Sequence, residues 1–393
     1  MVFLGFAFTG YAIASQDLST AIELESTWFP RDGAYANQNR ENFSLALTSK
    51  YGKSWRNDRQ SFTLEAFMRL DSKDKERNHF ELREFNYISS IKQWEIEIGI
   101  SRVFWGVTES EHLVDIINQT DLVESFDGES KLGQPLLRMA YFSDFGDSHF
   151  IIMPYFRARS FVGEHARLHG QLLVDADHPL YEDADKENHW DFAARWESSF
   201  SLLDIGIAHF YGTSRDPVLV ASIAADQNTY LQPFYKLIHQ TGVDLQLTLD
   251  NLMIKHESIY RRYQSDQEKD FYAQVSGFEY TYYALFDSAI DVGLISEYLF
   301  SSQENNSLTA FDDNIFLGAR LNFNTVDSAS CLVGAIIDLR SSAILFRLET
   351  TKRFYDAWSG SLEFNQFISV PDDNLFSQIK RDSYLRLLVE YYF

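Results

Sequence analysis

A chain of 393 residues with 57 acidic and 34 basic side chains carries a net charge of −23. That balance excludes a phosphate-binding face built on clustered positive charge, so no nucleic-acid partner is expected. The single cysteine, Cys331, excludes an internal disulfide. Thirty-three Phe and 21 Tyr are many aromatics for a hydrophobic content of only 45 %.

Residues 1–14 (M-V-F-L-G-F-A-F-T-G-Y-A-I-A) contain no charge and end in the small-x-small pattern Ala12-Ile13-Ala14. They read as the apolar core and cleavage site of a secretory signal peptide, cut after Ala14 or Ser15, with the basic start missing. The alternative is a buried N-terminal strand. Beyond residue 15 no apolar run approaches the roughly 18 residues that a membrane-spanning helix needs.

Alternation with period two recurs instead. Ile22, Leu24 and Trp28 alternate with Glu23, Glu25 and Thr27, and Phe62, Leu64, Ala66, Met68 and Leu70 with Ser61, Thr63, Glu65 and Arg69. The pattern returns in 94–101, 243–249 and 315–324. Short connections (143–148, 198–201, 250–251, 286–288) trade places with long ones (104–135, 159–188, 211–239, 367–381). Strands with carboxylates in their middles suit a wet lumen on one side and lipid on the other better than they suit a soluble sandwich. The predicted fold is all-β: residues 15–393 form one closed antiparallel transmembrane β-barrel of about 18 strands, with 16 as the alternative. Roughly 21 residues per strand and connection fit a barrel wide enough for an aqueous channel.

The long connection 104–135 is the leading site candidate. Thr108-Glu109-Ser110-Glu111 is a capping box, which predicts a short helix through Leu113, Ile116 and Ile117. The segment sets Glu109, Glu111, Asp115, Asp121, Glu124, Asp127 and Glu129 against one base, Lys131. Strand phase turns Arg138, Arg195, Arg320, Arg347 and Arg386 to the face opposite apolar runs, and the chain uses 22 Arg against 12 Lys. Acids facing arginines across a pore make a transverse field that orients dipolar solutes and sets ion preference. The plainer readings are a solvated outward loop, and arginines paired with inward Glu65, Glu95, Glu97, Glu297 and Glu390. Acid-rich connections at 175–191, 265–270 and 371–382 could bind the divalent cations of lipopolysaccharide; a solvated surface is the ordinary account.

Enzymatic signals are weak. No H-E-x-x-H, G-x-S-x-G, P-loop or dinucleotide fingerprint occurs, and His165 with His169 lacks a third ligand. No metal, cofactor or enzymatic activity is expected. His256 and Ser258 share the apolar phase of Leu252, Ile254 and Tyr260, and outer-membrane lipases use Ser and His on the lipid side of a barrel. Two polar residues near the membrane interface is the ordinary reading.

The chain closes on Ser383–Phe393 (S-Y-L-R-L-L-V-E-Y-Y-F), with Leu385, Leu387, Val389, Tyr391 and Phe393 on one face and Arg386, Leu388, Glu390 and Tyr392 on the other. This segment resembles the closing strand of Gram-negative outer-membrane, porin-like β-barrels, and the likeness in architecture covers residues 20–393. Phe156–Phe161 (F-R-A-R-S-F) and Gly212–Leu219 (G-T-S-R-D-P-V-L) look like segments of uncharacterised proteobacterial barrels, while the P-E-F-G-G pattern of one large porin class is missing. The resemblance implies the cell outer membrane, with lipid and lipopolysaccharide around the wall and both termini periplasmic. It also implies recognition of the C-terminal strand by the barrel-assembly machinery, and a third loop that narrows the pore. The expected function is a channel for passive diffusion of small hydrophilic solutes, weakly cation-preferring because loop acids outnumber the arginines near them. The alternatives are a plugged, aromatic-lined transporter for hydrophobic compounds and a structural or adhesin barrel acting through its loops. A homo-oligomer is left open.

Overall fold

In the computed structural model, residues 17–393 are described except 224–226, 228, 266–267 and 304–310; the signal segment 1–14 lies outside them. The alternating stretches form eighteen barrel strands. The first six are β1 (Asp17–Trp28), β2 (Glu41–Trp55), β3 (Gln60–Asp71), β4 (His79–Ile91), β5 (Trp94–Ser101) and β6 (Gln134–Ser143). Next come β7 (Gly146–Met153), β8 (Asp191–Phe200), β9 (Leu203–Thr213), β10 (Leu237–Leu249), β11 (Leu252–Tyr263) and β12 (Phe271–Tyr282). The last are β13 (Asp291–Ser301), β14 (Asp313–Asn322), β15 (Ser330–Asp338), β16 (Ile344–Tyr355), β17 (Trp358–Ile368) and β18 (Tyr384–Tyr392). Neighbours pair antiparallel, and β1 pairs with β18 from Ala21 opposite Tyr392 to Trp28 opposite Leu385. The sheet is therefore closed and has no edge, the condition for β-structure to stand in lipid.

One rim carries tight turns. Lys92, Ser201 and Asp250 each take a left-handed φ of 50–55° as the first residue of a two-residue hairpin, the backbone that matches strand twist. The other rim carries the long loops, where Leu180–Tyr181, Val218–Ile223 and Thr229–Tyr235 form a small three-stranded sheet.

The outward face is apolar: Leu24, Leu45, Leu70, Ile98, Ile254, Phe278, Leu317 and Leu387 are all exposed. Aromatics ring the turn rim, with Trp94 on Tyr141 at 4.8 Å, Trp358 on Tyr391 at 4.7 Å and Tyr391 on Phe393 at 4.8 Å between ring centroids. An apolar belt bounded by aromatics is the surface of a transmembrane barrel. The C-terminal strand takes the expected phase, with Leu387 and Phe393 exposed and Arg386 turned inward.

The packed core lies inside the barrel. From β6 to β15 the wall turns apolar side chains inward, among them Ile151, Met153, Phe210, Ile238, Ile259, Val275 and Phe316. Trp105, Leu113, Val114, Ile116 and Ile117 of the third loop (102–133) complete this cluster. Gly242 leaves the room: a Cβ there would meet Val114 at 3.0 Å. The remaining wall, β16–β18 with β1–β5, is lined mainly with charge, and β6–β15 carry inward charges beside their apolar core, among them Arg195, Glu257, Arg261 and Glu297. The predicted helix at 108–117 does not form, and the segment runs as turns and extended backbone.

Candidate functional site

The third loop crosses the lumen because wall carboxylates take over its backbone donors. Glu257 of β11, fully buried, accepts from the Val107 N–H (2.7 Å), the Thr108 N–H (3.0 Å), the Thr108 hydroxyl (2.7 Å) and the Val114 N–H (3.2 Å). Glu297 of β13 accepts from the Glu109 and Ser110 N–H groups at 2.8 Å each, and from the Ser110 hydroxyl at 2.5 Å. The Thr108, Glu109 and Ser110 N–H groups are those that would open the predicted helix, and of them the capping box would have satisfied only that of Thr108. Charged acceptors form stronger hydrogen bonds than neutral ones, so the helix is displaced. The plainer reading pairs Glu297 with a wall arginine; it binds loop backbone instead.

The loop acids then pair with wall arginines. Glu109 meets Arg320 at 2.5 Å, Glu124 meets Arg69 at 2.9 Å and Asp127 meets Arg347 at 2.6 Å. Asp115 pairs within the loop with Lys131 (3.3 Å), and Asp121 accepts from the Ser160 hydroxyl (2.5 Å). Among the described residues the Glu111 carboxylate has no ion-pair partner; the Thr108 hydroxyl, which shares its one proton between the Glu111 carbonyl and Glu257, lies 2.7 Å from that carbonyl. Of the predicted arginines, Arg320 and Arg347 bind the loop and Arg195 places its guanidinium 5.4 Å from the Trp105 ring while pairing with Asp244. Arg138 stays with Glu97 and Glu95 on the wall, as the plainer reading had it, away from the loop.

A connected ion network spans the seam where β1 meets β18. Arg69 contacts Glu23, Glu25 and Glu124, and Arg77 contacts Glu25 and Asp71. Arg386 bridges Glu25 (3.9 Å) and Glu363 (3.1 Å), while Arg347 contacts Glu363, Glu349 and Asp127. Four guanidiniums thus face seven carboxylates: Glu23, Glu25, Asp71, Glu124, Asp127, Glu349 and Glu363. Burial raises Asp127, but the Arg347 guanidinium together with hydrogen bonds from the Ser125 hydroxyl and the Glu129 N–H outweighs it and holds the carboxyl well below the usual range. Burial pushes Asp115 up despite Lys131.

The loop separates two cavities that share Leu122 and Phe126. The inner one, about 280 Å³, is lined by Glu111, Asp115, Asp127, Lys131, Arg159, Arg215, Asp216, Arg261 and Arg347 among others. The outer one, about 550 Å³, opens among the long loops past Phe29, Arg77, Phe161 and His169. Sequence reasoning missed Glu257, Arg69, Arg77, Arg159, Arg215 and Arg261 as site residues. A signal existed for two of them: Arg159 lies in F-R-A-R-S-F, and Arg215, with Asp216 beside it, lies in G-T-S-R-D-P-V-L. These segments meet inside the barrel, with Arg159 and Arg261 on Asp216 at 2.8 and 3.1 Å. Burial raises Asp216, and the two arginines more than reverse it.

No family model matches the chain, and no curated protein matches it. Solved structures do. A BenF-like porin from Pseudomonas fluorescens Pf-5 aligns with TM-score 0.58 at 9 % identity over 97 % of this chain and 99 % of that one. OccD3 (OpdP) of Pseudomonas aeruginosa gives 0.57 at 10 % identity, covering 97 % and 92 %. Wzi of Escherichia coli, an outer-membrane protein involved in group 1 capsule assembly and a carbohydrate-binding β-barrel, gives 0.55 at 8 % over 95 % and 84 %. The chain has the fold of Gram-negative outer-membrane porins. It is a closed eighteen-strand transmembrane barrel of the outer-membrane kind, with its third loop folded inward.

Proposed function

We propose that this barrel is a passive channel for small hydrophilic solutes, constricted by the third loop and weakly cation-preferring. Passage along the lumen makes and breaks no covalent bond, so the channel activity is not enzymatic. The observation that carries the reading is the seam network, in which seven carboxylates, Glu124 and Asp127 of the third loop among them, face four guanidiniums beside the charged part of the wall. An excess of negative charge in a narrow aqueous path concentrates cations. The apolar half does not compete as a route for hydrophobic compounds, since the loop's own Trp105, Leu113, Val114, Ile116 and Ile117 cover it.

Leu385, Leu387, Val389, Tyr391 and Phe393 are the outward face that the barrel-assembly machinery would read, and lipopolysaccharide is the lipid beside the loop rim. The channel reading is tested in planar bilayers. A small, steady, ohmic conductance is expected, with a reversal potential in a KCl gradient displaced modestly towards K⁺. A folded protein that stays silent would end the channel reading, and a displacement towards Cl⁻ would end the stated selectivity.

A further inference from the structure

A polar cluster on the lipid side of the wall takes no part in the lumen. Lys255, Glu257 and Ile259 of β11 are buried inward, which turns Ile254, His256, Ser258 and Tyr260 outward; Tyr272, Gln274, Ser276 and Phe278 of β12 face the same way. The register sets His256 opposite Ser276, Ser258 opposite Gln274 and Tyr260 opposite Tyr272. His256 Nδ1 lies 2.7 Å from the Ser276 hydroxyl, and His256 Nε2 lies 3.2 Å from the Ser258 hydroxyl. The Tyr272 hydroxyl donates to Gln274 Oε1 at 2.7 Å. Gln274 Nε2 has no partner among the described residues. An ionisable residue such as His256 is costly on a hydrocarbon-facing surface and marks a candidate functional site.

Depth supports the same reading. Tyrosines mark the headgroup level, and the Tyr260 hydroxyl donates to Asp270 in the loop above at 2.8 Å. Ser258 is two residues deeper, about 7 Å along the strand. That places its hydroxyl near the acyl-ester level of the outer leaflet.

We propose that Ser258, His256, Ser276 and Gln274 form a hydrolytic site for acyl esters of outer-leaflet lipids. With Nδ1–H donated to the Ser276 hydroxyl, His256 presents the Nε2 lone pair to the Ser258 O–H. Ser258 Oγ attacks the ester carbonyl carbon and its proton passes to Nε2. The carbonyl–alkoxy bond then breaks, and His256 gives that proton to the leaving alcohol oxygen. Water attacks the acyl-serine, His256 takes a proton from it, and Ser258 Oγ recovers one as the free fatty acid leaves. Gln274 Nε2–H, held by Tyr272 and opposite Ser258, is the donor for the oxyanion. Ser276 is a positioning residue: being neutral, it orients the imidazole without stabilising its charged form, so turnover is slow.

The test uses the full barrel in two kinds of vesicle, phosphatidylethanolamine with phosphatidylglycerol, and the same lipids containing lipid A. Released fatty acid is measured by mass spectrometry, and a fluorophosphonate probe reports an activated serine. Fatty acid release with probe on Ser258 is expected. Release from the first vesicles identifies a glycerophospholipid ester, and release only with lipid A identifies a lipopolysaccharide ester. Ser258→Ala and His256→Ala should each lower release at least tenfold and abolish labelling, at unchanged single-channel conductance, which shows that the barrel still folds. Ser276→Ala should slow release and shift its pH profile, and Ser276→Thr should restore both. A conducting wild-type barrel that releases no fatty acid from either vesicle and takes no probe overturns the proposal. So does a Ser258→Ala variant as active as the wild type.

Discussion

At the scale of single residues, Glu257 has the largest expected effect. Its carboxylate accepts four hydrogen bonds from the loop, and each donor left buried without a partner costs about 1–3 kcal/mol. Glu257→Ala should therefore release the start of the loop, raise single-channel conductance and open residues 104–114 to added protease. Glu257→Gln keeps one acceptor oxygen for Val107 and Thr108 and meets the Val114 N–H with an amide, so its effect should be smaller. The pH response follows from loop acids shifted in opposite directions, and burial pushes Glu111 up to about 7. Burial raises Asp115, so it takes up a proton at a higher pH than an ordinary aspartate of about 3.9. Against burial, Arg347 holds Asp127 below that value. The latch it makes is fully present above the unfolded value and is lost only as pH falls through the depressed folded one. Acidification from neutral pH should thus reduce cation preference first and detach the loop last. Reversal potentials measured across pH check this: Glu111→Gln should flatten the upper part of the curve, and Asp115→Asn a further part of it.

At the scale of the element, the third loop shows what sequence could and could not disclose. Its length, its acids and its place after β5 were legible, because charge and connection length are local properties. Its conformation was not. The capping box predicted a helix, but Glu257 and Glu297, some 150 and 190 residues away (|i−j| of 149 and 188), hold with charged acceptors the Thr108, Glu109 and Ser110 N–H groups that would open it. The inward phase of both glutamates could be read from their strands; which backbone they meet could not, since that depends on barrel closure. Replacing Glu109, Glu111, Asp115, Asp121 and Glu124 together by amides removes negative charge and uncovers Arg320 and Arg69. The reversal potential should move towards anions. If conductance persists with no such movement, residues 102–133 do not set the ion preference.

At the scale of the whole molecule, strand number and closure were legible because alternation counts strands, and the backbone edge of a last strand that stands in lipid requires a first strand to pair with it. The division of the lumen into apolar and charged halves was not, because it emerges only when ten consecutive wall strands are seen to share one packed core with the loop. That division makes Arg386 a test of two properties at once. It stands on the last strand and bridges Glu25 of the first strand and Glu363 of β17, so it couples barrel closure to the charge of the path. Breaking a buried pair by removing one partner costs roughly 3–5 kcal/mol, since the other charge is left uncompensated. Arg386→Met keeps much of the side chain's bulk and deletes its charge, leaving three guanidiniums against seven carboxylates. Resistance to unfolding, read by the heat-dependent shift of the barrel on cold gel electrophoresis, should fall. Among the molecules that remain closed, the preference for K⁺ should rise. A loss of stability without that rise would mean that the seam network lies outside the conducting path, although it still fastens the barrel.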